Sequence, residues 1–214
     1  IYLKPAGENG SLVLDPGGSP GAQTPVAAAA LSGLSVQGGA QGELSTPMAV
    51  SNLLVLANSS LVAKPQSALS LAVNGDALIE AGASVSAASG VFSSSSGTGH
   101  SSGACGGGAG YGGYGATGTN SLATGGLSYG WYNTPTNSGS AGAGANSVGG
   151  FGGGAVRLSV GGALRLDGRV SAEGEAGSAL GGGGGSGGSV WLPVRQLSGA
   201  GLLSVHGGNG RCPS

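Results

Sequence analysis

Three stretches of this 214-residue chain match G-x-S-x-G, the pattern that presents a nucleophilic serine: Gly17 to Gly21, Gly99 to Gly103 and Gly184 to Gly188. His100 or His206 with Asp167 would complete a Ser-His-Asp set on paper. That elbow needs a strand before the serine and a helix after it. No helical pattern follows any of the three. In a chain with 51 glycines such matches arise by chance, and the serines read as turn residues. The run Gly181 to Gly188 lacks the Lys-Ser/Thr ending of a phosphate loop, and no helix start follows it to hold an anion.

A polysaccharide lyase would need clustered acids for calcium or proton transfer, with an Arg or Lys beside them. Asp76 and Glu80 form one candidate group; Asp167, Glu173 and Glu175 form another, near Arg165 and Arg169. Arg157, Arg165 and Arg169 alternate with apolar residues, so they are expected to face solvent and pair with those acids. Exposed pairs of that kind contribute about 0 to 1 kcal/mol. The expectation is a non-enzyme, with no catalytic residue, no metal site and no cofactor other than covalent glycans.

The aromatic group Tyr129, Trp131 and Tyr132 has the chemistry to stack on sugar rings or a partner. The competing expectation is that these side chains pin a glycine-rich loop, since each buries about 150 to 250 Å². Trp191 alternates with Val190 and Leu192 and is expected to face outward as a contact residue. Asn9-Gly10-Ser11 and Asn58-Ser59-Ser60 are N-glycosylation sequons. Cys105 and Cys212 form neither a CxxC pair nor a zinc set. Outside the cell they would form a disulfide with each other, or each with another copy.

Composition bounds the rest. Glycine supplies 51 residues and charged residues only 7%, against about 25% in ordinary domains. The net charge of -1 gives no electrostatic case for nucleic acid. No apolar run is long enough to span a membrane. The collagen G-X-Y repeat is absent, and a hydrophobic fraction of 39% argues against disorder. The chain starts at Ile1 with no initiator Met or signal peptide, and reads as a processed product or a fragment.

The elements that would position these groups are short alternating strands separated by Gly, Asn and Asp corners. Leu69–Ala87 reads strand, corner (Asn74-Gly75-Asp76), strand, corner, strand. Ala155–Ala172 repeats that unit through Gly161-Gly162 and Asp167-Gly168, and Val190–His206 carries it again. Ser11–Leu14, Leu31–Gln37, Ala49–Ala57 and Leu61–Ala63 read as further strands. Residues 88–154 form a long glycine- and serine-rich insertion, expected to lie on the repeats; residues 1–30 read as an extended segment suited to contact a neighbouring subunit.

The stretches HSSGACGGGAGYGG (100–113), GSAGAG (139–144), GGFGGGAVRLSV (149–160), GGGSGGSVWL (183–192) and LSGAG (197–201) resemble the glycine-rich, pectin-lyase-like parallel β-helix repeats of very large secreted and surface proteins of protists and other microbial eukaryotes. The resemblance covers roughly residues 68–210, and it implies a structural or adhesive extracellular protein without catalytic residues. The expected fold is therefore all-β: one right-handed parallel β-helix (solenoid) domain over 1–214, with long glycine-rich loops on one face. The expected function is an extracellular, glycosylated building block of a filament or cell-surface coat, its partners being copies of itself and glycans. The alternatives are a carbohydrate-binding adhesin module and, third, a polysaccharide lyase.

Overall fold

A strand that alternates apolar and polar residues buries one face and wets the other, and most strands of this chain obey that pattern. The computed structural model describes residues 1–19, 21–27, 30–87, 96–98, 100–101, 106–118, 123–144, 149–177 and 181–211. Cys105 and Cys212, with the disulfide expected of them, lie outside the described residues.

In chain order the strands are β1 (Tyr2–Leu3), β2 (Ser11–Leu14), β3 (Thr24–Val26), β4 (Ala30–Val36), β5 (Gln41–Leu44), β6 (Met48–Val55), β7 (Ser60–Ala63) and β8 (Leu69–Val73). They continue with β9 (Ala77–Ile79), β10 (Ser84–Ser86), β11 (Ala155–Leu166), β12 (Arg169–Ser171), β13 (Ser189–Trp191), β14 (Val194–Ser198) and β15 (Leu202–Ser204). Among the described residues there is no helix. Two sheets result. One has nine strands along the path β1-β2-β4-β6-β8-β11-β13, with β9 and β14 off that path; the other has six in the order β15-β12-β10-β7-β5-β3.

Pairing is parallel throughout both sheets except at β1, which runs antiparallel to β2. The three repeated units stack in register. Val85 lies beside Val170, which lies beside Leu203; Ala77 lies beside Leu164, which lies beside Leu197. Inward residues thus form apolar columns through the layers, and Leu34, Leu53, Leu61, Leu158, Leu164, Ile79 and Val85 are wholly buried between the sheets.

The expected right-handed parallel β-helix with glycine-rich loops on one face is corrected by two findings. First, the nine-stranded sheet branches. β8 and β9 lie between the longer β6 and β11, interrupted at the Asn74-Gly75-Asp76 corner, so β6 pairs with both and β11 pairs with both. The twelve-residue β11 also pairs with β13 and β14, with a register shift between Val160 and Ala163. The pairing closes a ring, β6-β8-β11-β9, without closing a barrel. Second, the glycine-rich segments are a body in their own right. Residues 139–143, 152–154 and 181–188 are buried.

The described residues of that body form no strand, and their hydrogen bonds explain why. Along the run from Gly183, the Gly183 N–H donates to Ala143 O and the Gly185 N–H to Glu175 O. The Ser186 N–H donates to Ser140 O, while Gly184 O accepts from Ala109 and Gly183 O from Gly150. Successive groups reach different neighbouring segments on different sides, as extended chains without internal hydrogen bonds do. A strand instead sends its bonds to two coplanar neighbours. Only glycine permits the resulting closeness. A Cβ on Gly139, Gly142, Gly153, Gly174, Gly184 or Gly188 would press into a carbonyl of the next segment.

Candidate functional site

Four groups of residues have the exposure or the chemistry to carry a function. The first is the face formed by β13, β14 and β15 at the end of the stack. In the six-stranded sheet, Val85 and Val170 are 0% exposed, yet Leu203, next in the same column, is 47% exposed. In the nine-stranded sheet, Leu164 is 0% exposed and its neighbour Leu197 is 52% exposed. These leucines sit in core columns, and no further layer of the described residues covers them. Leu202 and Val205 are exposed beside them. Leu197, Leu203 and Val205, with Val190, Leu192 and Val194, line an apolar groove of about 750 Å³ that Tyr111 and Tyr114 also border. At the opposite end, Ile1, Tyr2 and Leu3 are exposed and all of β2 is half-buried. The first strand folds back on its own chain: the Ile1 amine donates to Val13 O at 2.6 Å, and the Tyr2 ring lies over Gly10. Ser11–Leu14 pairs with β1 on one side and with β4 on the other.

A second group is aromatic. The Tyr129 N–H donates to Tyr111 O at 2.7 Å, and the two rings meet edge to face with centroids 4.8 Å apart. The Tyr129 hydroxyl donates to Ser138 O at 2.5 Å and accepts from Ser140 Oγ at 2.8 Å. Burial raises its pKa above the ordinary phenol value, against the bond from Ser140. Tyr129 therefore acts as a pin for this loop. Trp131 and Tyr132 do not: they are 73% and 95% exposed. Tyr111, expected with Tyr114 among the aromatics that hold this loop, is the counterpart of Tyr129; its hydroxyl is buried, with no hydrogen-bond partner among the described residues.

The charged residues form the third group, and they serve the corners. Glu80 Oε2 accepts the Ala57 N–H at 2.9 Å, Asp76 Oδ1 accepts the Ala163 N–H at 2.8 Å, and Asp167 Oδ1 accepts the Ala200 N–H at 3.2 Å. Each carboxylate thus satisfies a corner amide of an adjoining layer. Arg165 pairs with Asp167 at 2.6 Å, and Arg169 pairs with Glu173, which also accepts from Ser204 and faces His206 at 3.4 Å. The bond from Arg165 and that from the Ala200 amide hold the Asp167 carboxyl below its usual range. The bond from Ser204, then the Arg169 charge, do the same for Glu173. Arg157 departs from the expected acid pairing. Its guanidinium lies 4.6 Å from the centre of the Trp191 ring, because β11 and β13 place Arg157 and Trp191 side by side. Trp191 is half-buried under that cation rather than free for contact. Among the described residues no three His, Cys, Asp or Glu converge as a metal site would require. Ser186 is buried and bonded to Ser140, while His206 and Asp167 have the separate partners just described.

The fourth group is the sequons. Asn9 and Asn58 are both exposed, Asn58 at a corner where its φ of 61° turns the chain between β6 and β7. No helix of the described residues is long and apolar enough to cross a membrane. Comparison of the chain with protein-family models, with curated proteins and with solved structures finds no match.

Proposed function

We propose that the chain is an extracellular structural protein, a building block that joins end to end with copies of itself into a filament or surface coat and carries glycans on Asn9 and Asn58. The observation that supports this is the uncovered end of the apolar columns, Leu197 and Leu203 in particular. Covering the remaining half of such a leucine contributes about 1 kcal/mol. Beside them, β14 and β15 each have one edge that no strand of the described residues pairs with, the feature that lets one chain add strands to another. The opposite end presents different residues, Ile1 to Leu3, so the contact is head to tail and propagates unless it closes into a ring. A net charge of -1 offers little repulsion between copies.

The experiment is sedimentation velocity over a wide concentration range, with the wild-type chain and with Leu197→Glu/Leu203→Glu. Both leucines are half exposed, so the double variant keeps its fold, checked by circular dichroism. The wild type grows into large species with concentration and the variant stays monomeric. A wild type that is monomeric throughout, or a variant that assembles equally well, overturns the proposal.

A further inference from the structure

We propose that the turn carrying Trp131 and Tyr132 is a binding shelf for neutral polysaccharide. This does not depend on end-to-end assembly. Tyr111, Ser128, Tyr129, Trp131, Tyr132 and Pro135 border a cleft of about 400 Å³, within the size range of small-ligand sites. The cleft is held by a frame. Tyr129 ties the turn to Ser138 and Ser140, and Ser140 is tied in turn to Ser186 of the buried glycine body. Gly130 has φ of +88°, and a Cβ there would stand 2.9 Å from Cε2 of Tyr111. The chain therefore crosses directly against that ring and turns the next two aromatic side chains out. Trp131 and Tyr132 are exposed on a turn whose neighbours are pinned. Rigid aromatic groups of this kind lose little conformational entropy on binding, and adjacent exposed aromatics mark interaction sites.

Charge selects the occupant. From residue 101 through residue 156 the sequence has no Asp, Glu, Lys, Arg or His. An anionic polymer or a charged peptide would find no counter-ion on this shelf. What the turn does offer beside its rings is hydroxyl and amide groups, on Ser128, Asn133, Thr134, Thr136 and Asn137, all exposed. Aromatic faces pack against the C–H face of a pyranose, and hydroxyls and amides exchange hydrogen bonds with its ring hydroxyls. A neutral glycan presents both chemistries, and a chain of sugars spans a cleft open at its rim.

The test is affinity electrophoresis in gels containing galactomannan, xyloglucan or mixed-linkage β-glucan, with polygalacturonate as the anionic control. At least one neutral polymer retards the wild-type chain. Trp131→Ala and Tyr132→Ala each weaken retardation about tenfold, and Trp131→Phe, which keeps a stacking face, retains most of it. Circular dichroism and thermal unfolding match wild type for all three, because both side chains lie outside the packed frame. Retardation by none of the neutral polymers, by polygalacturonate alone, or equally in the Trp131→Ala/Tyr132→Ala double variant overturns the proposal. So does a double variant that loses self-association, which would make the shelf a contact between copies.

Discussion

Adding one methyl group at Gly153 tests whether the glycine-rich segments are a packed body. Gly153 is buried: its N–H donates to Ser186 O at 2.9 Å and its carbonyl accepts from Gly139 at 2.8 Å. A Cβ built there would lie 2.7 Å from Gly188 N and 2.8 Å from the Ala172 carbonyl carbon, with the Ala172 oxygen closer still. All three are backbone atoms in hydrogen-bonded segments, so no flexible side chain can swing away. Overpacking of this kind costs about 1 to 3 kcal/mol, and rigid backbone on every side puts Gly153→Ala at the upper end. For a chain of this length that lowers Tm by about 5 to 10 °C, at roughly 2 to 4 °C per kcal/mol. Gly112→Ala is the control. Nothing lies within 4 Å of a Cβ at Gly112, and its φ is not in the left-handed region. Alanine there restricts the unfolded chain and changes stability by about 0 to +1 kcal/mol. Differential scanning calorimetry of wild type and both variants reads the difference. A Gly153→Ala protein as stable as Gly112→Ala would refute close backbone packing as the reason for the glycines.

Tyr129→Phe removes the donor to Ser138 O and the acceptor for Ser140 Oγ; a loss of about 1 to 2 kcal/mol is expected in denaturant titration. The carboxyls of Asp167 and Glu173, and of Asp15, which accepts from the Gln37 side chain and the Gly17 N–H, all titrate below their ordinary values in the folded chain. Their stabilisation is fully present above the unfolded values of about 4 and is lost as pH falls through the lower folded values. Tm is therefore flat near neutrality and declines in acid, and Glu173→Gln makes that decline shallower; an unchanged acid limb would count against the Glu173 cluster. Arg157→Met removes the cation from the Trp191 face and costs about 0.5 to 1 kcal/mol by thermal unfolding. In native material, peptide mapping after glycosidase treatment in heavy water shows a mass shift at Asn9 or Asn58; unmodified asparagine at both would remove the glycan part of the proposed function.

The alternation in Leu69–Ala87 and Ala155–Ala172 points to β8, β9, β10 and β12 and to the repeat of the unit, which the structure stacks in register. The corner expected at Gly161-Gly162 is not formed, and β11 runs unbroken through it from Ala155 to Leu166 with only a register shift against β14. Ser11–Leu14, Leu31–Gln37 and Leu61–Ala63 were legible for the same reason. Thr24–Val26 and Gln41–Leu44 were not, because a proline in one and a glycine with a glutamate in the other break the apolar pattern. The glycine-rich insertion reads as an ordered loop laid on the repeats, and its arrangement as a buried body is not legible in the sequence. Glycine carries no side-chain periodicity, so neither a period of two nor one of 3.6 can announce its arrangement. What makes it ordered is closeness between segments far apart in sequence, such as Gly107 with Ala143 and Gly185 with Glu175. The functional groups divide in the same way. Sequons are local patterns and can be read directly. The division of the aromatics into a pin and a shelf depends on where Ser138, Ser140 and Tyr111 fall in space. The alternation of the arginines points to acid partners, and Arg165 and Arg169 do pair with Asp167 and Glu173. That Glu80, Asp76 and Asp167 also accept backbone amides from other layers is something no local pattern encodes.

Electron microscopy of the purified chain at rising concentration addresses the central claim most directly, because it shows the assembly itself. End-to-end joining through the face of Leu197 and Leu203 predicts unbranched filaments that lengthen with concentration, and their absence in the Leu197→Glu/Leu203→Glu chain. Dispersed single particles at every concentration, or identical filaments from the double variant, would contradict it.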